Sequence, residues 1–341
     1  LPSCYLLEQA GPYLEHRFGS VALERALAGP DSTPFERRLF GRVSDIRAFA
    51  EGELGLKLGR SYRRYYETEG DHLVTVIQAA RPFSLEPYRF RYPLVGKLPY
   101  RGYYDPEAAR EQAERLKAEG LEVYLRQVDA FSSLGIIGDP LFSFVSDYPE
   151  HRLAEMLIHE QVHATIFVKG QPEFNEQLAT FVGREGARLY IKSRYGAGSL
   201  PYRELIAARS DRSRFRADIS ALAESLERLY GSARSPADML IWKRRFIDAF
   251  HTRFRDTYDA RYRSERYRWL GEAWINNAFL SMFRLYEPEH PAFRRLLERC
   301  GSLKAMLSRL RAAQRAGELR ENPFAIQCYS ERSTVSYSQS P

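Results

Sequence analysis

The run His159-Glu160-Gln161-Val162-His163 holds the residues whose types and spacing are best suited to chemistry. On a helix, positions i and i+4 stand on one face, one turn apart. Two imidazoles so placed can share one zinc ion. Glu160 follows the first histidine and is placed to act as general base toward a water in the same site. A catalytic zinc site takes three protein ligands and keeps a fourth position open. The third is expected at Glu176, within Asn175-Glu176-Gln177-Leu178-Ala179. His159, His163 and Glu176 then form a two-histidine, one-glutamate set for one Zn2+ per chain, the ligand set of hydrolytic zinc enzymes.

The elements that must position these groups are legible nearby. Leu153, Met156, Leu157 and Val162 recur at helical spacing, and neither Pro nor Gly occurs from Glu150 to Val168, which predicts a helix there. Gly170, Gln171 and Pro172 break the chain, so that a second helix carrying Glu176 can pack back on the first. The bland alternative is an amphipathic helix with two surface histidines. A glutamate standing where a third ligand is needed argues against it.

The rest of the chain reads as α+β. Phe35, Leu39, Val43, Ile46 and Phe49 mark a helix over 34–51, with Asp31 or Ser32 and Thr33 offering its cap. Leu73–Ala80 and Arg89–Gly96 are β-rich and are expected to pair in one small, mainly antiparallel sheet, which Tyr100–Tyr104 extends. Asp105-Pro106 opens a helix that runs to Gly120, and Leu121–Ala130 returns as a strand. Beyond the zinc segment the chain is helical: 202–230, 237–262, 267–285 and one or two helices over 291–315. The expected division is an N-terminal half over 1–145, a zinc-helix pair with a helical half over 146–316, and a polar, disordered tail over 317–341.

HExxH followed on the next helix by NExxA resembles the gluzincin metallopeptidases. The closer likeness is to a family of bacterial predicted aminopeptidases described as exported lipoproteins. It rests on Phe49-Ala50 with Leu54-Gly55-Leu56, Ser61-Tyr62, Tyr92-Pro93-Leu94-Val95-Gly96, Tyr100-Arg101-Gly102-Tyr103-Tyr104-Asp105, Ser132-Ser133-Leu134-Gly135 with Asp139-Pro140-Leu141, the zinc segment, and Asn276-Asn277-Ala278. The resemblance implies zinc-dependent hydrolysis of peptides, of the aminopeptidase kind. It implies a substrate wall just before the zinc helix, with Gly135 letting a peptide approach and Asp139 beside it. It also singles out Asn276 and Asn277, which are costly to bury unless satisfied. They would bind the substrate backbone, brace a ligand, or pair helices. The oxyanion donor that gluzincins draw from a Tyr or His is open here among Tyr190, Tyr195, His251 and Tyr286. Two other readings stay open: an endopeptidase of the same fold, and a non-catalytic, lipid-anchored envelope protein with a structural zinc.

Charge and cysteines bound the setting. The net charge is +7, most of it from arginine in 203–216 and 261–268. Solvated helix faces beside Glu and Asp account for it, no nucleic-acid reader accompanies it, and nucleic acid is not an expected partner. Leu1-Pro2-Ser3-Cys4 has the form of a lipoprotein processing site, so Cys4 is expected to carry lipid, with the protein at a bacterial envelope membrane facing the periplasm. Cys300 and Cys328 remain as a pair that bonds if close enough and stays free if not.

Overall fold

The computed structural model describes residues 18–23, 25, 33–59, 61–68, 73–92, 96–128, 140–284, 291–319 and 323–328. Helix α1 (Pro34–Gly52) begins where Thr33 and Glu36 cap each other: the Thr33 hydroxyl accepts from the Glu36 N–H, and the Glu36 carboxylate accepts from the Thr33 N–H. Helix α2 (Pro106–Ala118) starts on the Asp105 cap with proline in its first turn. Helix α3 (Glu150–Thr165) and helix α4 (Pro172–Tyr195) are the two helices expected to carry His159, His163 and Glu176. Helix α5 (Leu200–Tyr230) and helix α6 (Pro236–Arg261) are long and basic, and their arginines form ion pairs such as Arg261 with Asp218 at 2.7 Å. Helix α7 (Asn277–Arg284), helix α8 (Pro291–Cys300) and helix α9 (Leu303–Ala316) follow.

The strands form small sheets. Strands β1 (Val21–Ala22), β2 (Arg64–Tyr66) and β8 (Leu141–Phe142) make one, antiparallel between β1 and β2 and parallel between β2 and β8. Strand β3 (Val74–Ala80) is the centre of an antiparallel sheet between β6 (Arg101–Tyr103) and β7 (Glu122–Val128). All seven residues of β3 are buried. Helix α2 covers one face through Ala109, Ala113 and Leu116, which pack with Ile77 and Ala79, and α7 also packs against the strand. That double cover is why β3 lacks the polar-apolar alternation of a half-exposed strand.

Two expectations are corrected. Leu73–Ala80 and Arg89–Gly96 do not pair as two long strands: β4 (Phe90–Tyr92) folds back on β5 (Gly96–Leu98) as a separate two-stranded sheet, and a bridge from Pro87 to Ala80 links the segment before it to β3. The expected helix over 267–285 is a 3-10 turn at Glu265–Gly271 followed by α7. Asn276 ends the break, because its side-chain oxygen accepts the Phe279 N–H at 2.8 Å and starts the helix there.

The chain divides into two units whose segments interleave in sequence, each drawing on both sides of residue 145. One comprises 1–18, 68–131 and 203–287, with a core of Phe215, Ile219, Leu226, Phe250, Phe254 and Phe279. The other comprises 19–67, 132–202 and 288–341, and contains α1, α3, α4, α8 and α9.

The start of the segment expected to be disordered is built into this second unit. Pro323–Ala325 form a 3-10 turn and Cys328 is bonded to Cys300, with Cα atoms 5.4 Å apart. The disulfide closes a loop over a sequence separation of 28 residues. Loop closure on that scale contributes about 3–4 kcal/mol. A Cys300→Ser/Cys328→Ser double variant is therefore expected to lose about that much in a denaturant titration. Among the described residues, no helix is long and apolar enough to cross a membrane.

Candidate metal centre

Helix α3 carries His159 and His163 on one face, and their rings meet edge-to-face with centroids 4.8 Å apart. It ends at Thr165, three residues sooner than its apolar pattern predicts, because Ile166 turns extended. The next backbone groups are taken by Asn175. Its side-chain oxygen accepts the Val168 N–H and its amide donates to the Val168 carbonyl, both at 2.9 Å. Gly170, at φ +81°, makes the turn between the helices where an L side chain is strained. Asn175 thereby ties the first turn of α4 to the exit of α3, and Glu176 is the next residue.

The three donors converge. His159 Nε2 and His163 Nε2 are 3.1 Å apart, His163 Nε2 lies 3.2 Å from Glu176 Oε1, and His159 Nε2 lies 3.5 Å from Glu176 Oε2. Zinc with ligands at 2.0–2.1 Å in a tetrahedron requires donor-donor edges of about 3.3 Å. The observed triangle therefore has the size of one tetrahedral face. Among the described residues, this is the one group of three His, Cys, Asp or Glu side chains close enough to hold a metal ion. The His163 side chain is 7 % exposed, His159 23 % and Glu176 55 %, so the cluster is closed on the histidine side and open to solvent on the glutamate side.

Helix packing sets this geometry. Gly183 stands two turns along α4 from Glu176, on the same face. A Cβ there would lie 2.8 Å from the Glu155 carbonyl oxygen and 3.3 Å from His159 Cβ. Only glycine lets the two helices approach so closely beside His159. Arg184 adds an ion pair to Glu155 at 3.3 Å.

The electrostatics follow from convergence. For Glu176, burial pushes the carboxyl upward, but hydrogen bonds and charge from both histidines outweigh it and hold it far below the usual carboxylate range. For His163, burial lowers basicity, while the hydrogen bond and charge of Glu176, with the charge of Glu160, raise it above the ordinary 6.5. The metal-free contribution of Glu176 to stability is present above the ordinary carboxylate pKa of 4.5 and is lost only well into acid. That of His163 is present below pH 6.5 and is lost as pH rises through its raised pKa. Metal binding needs the imidazole neutral and so displaces that proton. Apparent zinc affinity is therefore expected to rise by at least about tenfold per pH unit over the range in which His163 is protonated, then level off, as read by chelator competition at several pH values.

None of the other candidates is among these three donors. Gly135 and Asp139 lie outside the described residues, as do Cys4 and Tyr286. Tyr190 and Tyr195 donate to Glu150 at 2.9 and 2.6 Å. Glu150 is nine residues before His159, or about 13 Å along the helix axis. His251 belongs to the other unit, and so do Asn276 and Asn277. Asn276 donates to the Val123 carbonyl at 2.9 Å. The Asn277 amide donates to the Arg81 and Pro82 carbonyls, its oxygen accepts from the Tyr230 hydroxyl at 2.7 Å, and its N–H donates to Glu122, which also pairs with the buried Lys243. This network satisfies the buried amides within their own unit.

An α+β chain with a two-histidine, one-glutamate cluster on a helix pair is the class that fold and site define. The profile of the family described as "Putative aminopeptidase" matches residues 5–322, and the chain belongs to that family. Membership supports peptidase activity at that coarse level. No curated protein and no solved structure matches the chain.

Proposed function

We propose that this protein is a zinc-dependent peptide hydrolase of the aminopeptidase kind, with His159, His163 and Glu176 as ligands and Glu160 as general base. The observation that carries the reading is the donor triangle of 3.1, 3.2 and 3.5 Å, which fits a tetrahedral zinc face. Zinc, when bound, supplies a Lewis acid that polarises the scissile carbonyl and acidifies water. Glu160 accepts the proton of the attacking water and returns it to the leaving amine. Its negative charge acts on His163, in support of that role. His163, closed off from solvent, and Glu176, facing it, fix which side the peptide approaches.

The HExxH motif followed on the next helix by NExxA and the family membership both favour this reading over a structural zinc. A structural site is closed with four protein ligands, whereas among the described residues three converge here. The Cys300–Cys328 disulfide supports an oxidising compartment, in keeping with an envelope protein carrying lipid on Cys4. Gly135 and Asp139 stay assigned to the substrate wall on the strength of the resemblance alone, while Asn276 and Asn277 brace the packing of their own unit.

The test is digestion of a mixed peptide pool by the zinc-loaded protein, with products read by mass spectrometry. Stepwise loss of N-terminal residues is the expected result. Internal cuts would reassign the action to endopeptidase, and intact peptides at full zinc loading would overturn the hydrolase reading.

A further inference from the structure

Glu176 stands just past the first turn of α4, a turn that has no side-chain cap of its own. Helix α4 begins at Pro172 with Gln171 as its cap, and Gln171 makes no side-chain capping bond. An uncapped first turn frays most readily, and the metal ligand follows directly on this one. Something else must hold it.

The front of α4 is fixed by Asn175 and by the close approach at Gly183. The rear is fixed by aromatic rings. Phe174 and Phe181 are seven residues apart and share a face, while Glu176, two residues from Phe174, points to the opposite side. Phe293 of α8 lies with its ring 5.6 Å from Phe174 and 5.7 Å from Phe181. Phe324 closes the cluster, 5.4 Å from Phe174 and 5.6 Å from Phe293. Both Phe174 and Phe293 are almost wholly buried.

Phe324 comes from the segment 323–328, which has little secondary structure of its own. It is held by the buried Pro323, by Arg309 donating to the Gln327 carbonyl at 2.9 Å, and by the Cys328 disulfide to Cys300, the last residue of α8. The disulfide thus fastens both sources of the rear aromatic rings, α8 and the segment, to each other.

We propose that residues 323–328 form a covalently fastened strap that positions Glu176 for metal binding by pressing Phe324 onto Phe174. The proposal rests on the zinc-peptidase reading. Phe324 and the disulfide are positioning groups and touch neither metal nor substrate. Loosening the strap leaves the two histidines in place on α3, but lets the first turn of α4 move and so degrades the third ligand.

The test compares full-length wild type, Phe324→Ala, Phe324→Leu and the Cys300→Ser/Cys328→Ser double variant. Each is measured for zinc dissociation constant by chelator competition and for the visible spectrum of its cobalt-substituted form, with circular dichroism to confirm folding. The expected result is zinc binding weaker by about 10- to 100-fold in Phe324→Ala and the double variant, the range seen when groups that orient a ligand are removed. Their cobalt bands should change in position or intensity, and Phe324→Leu, which keeps apolar bulk, should recover most of the loss. Wild-type affinity and an unchanged cobalt spectrum in folded variants that merely unfold more easily would overturn the proposal, leaving the strap a stabiliser only. A folded wild type that binds no zinc would instead overturn the metal reading beneath it, so the two failures are distinct.

Discussion

Glu160→Gln is expected to keep one zinc per chain and lose about 10²- to 10⁴-fold in kcat, the usual span of general acid-base assistance. That corresponds to about 3–5 kcal/mol of transition-state stabilisation. The substitution preserves shape and removes only the proton acceptor. Because Glu160 is not a ligand, metal content should be unchanged. Because its charge contributes to the raised basicity of His163, the pKa of His163 in the metal-free protein should fall slightly. Kinetics on a cleaved peptide, with zinc measured on the same sample, separate these effects. Equal loss of zinc and activity would mean that Glu160 holds the metal and is not its catalytic partner.

The second large effect is at the ligands. His163→Ala removes the least exposed donor and leaves a two-donor site. Zinc affinity is expected to fall by more than about 100-fold, beyond the 10- to 100-fold cost of losing a group that only orients a ligand. Activity at stoichiometric zinc should vanish with it. Glu176→Gln should weaken the metal in the same direction and carries an independent signature. The hydrogen bond and charge that raise His163 come chiefly from Glu176. Without that carboxylate, burial dominates and the His163 pKa drops below its wild-type value, as read by proton NMR on metal-free protein. A His163 titration unmoved by Glu176→Gln would contradict the geometry of the cluster.

Much of the convergence of His159, His163 and Glu176 was legible because its parts are local. The i, i+4 spacing of His159 and His163 depends only on helix geometry, and the break at Gly170-Gln171-Pro172 forces a reversal that brings Glu176 back. What was not legible depends on partners distant in sequence. Gly183 reads as a helix weakened by glycine until the Glu155 carbonyl is found against it. Asn175 reads as part of a motif, and its job at Val168 shows only once the turn is folded. Asn276 and Asn277 announced a buried polar network by their apolar neighbours, but Glu122, Tyr230 and Lys243 are recruited from far along the chain. The α+β class followed from the ordering of β-rich and helical segments, whereas strand pairing did not, because the link between β3 and β4 gives no hairpin signal. The tail was misread from its polar composition, since one phenylalanine and one cysteine suffice to fix its first residues.

The measurement that bears most directly on the central claim is a zinc titration of chelator-stripped protein followed by peptide hydrolysis. The account predicts no hydrolysis without metal and activity that rises linearly to a plateau at one zinc per chain. Hydrolysis that persists in the stripped protein, or one tightly bound zinc with no hydrolysis of any peptide in the pool, would contradict it.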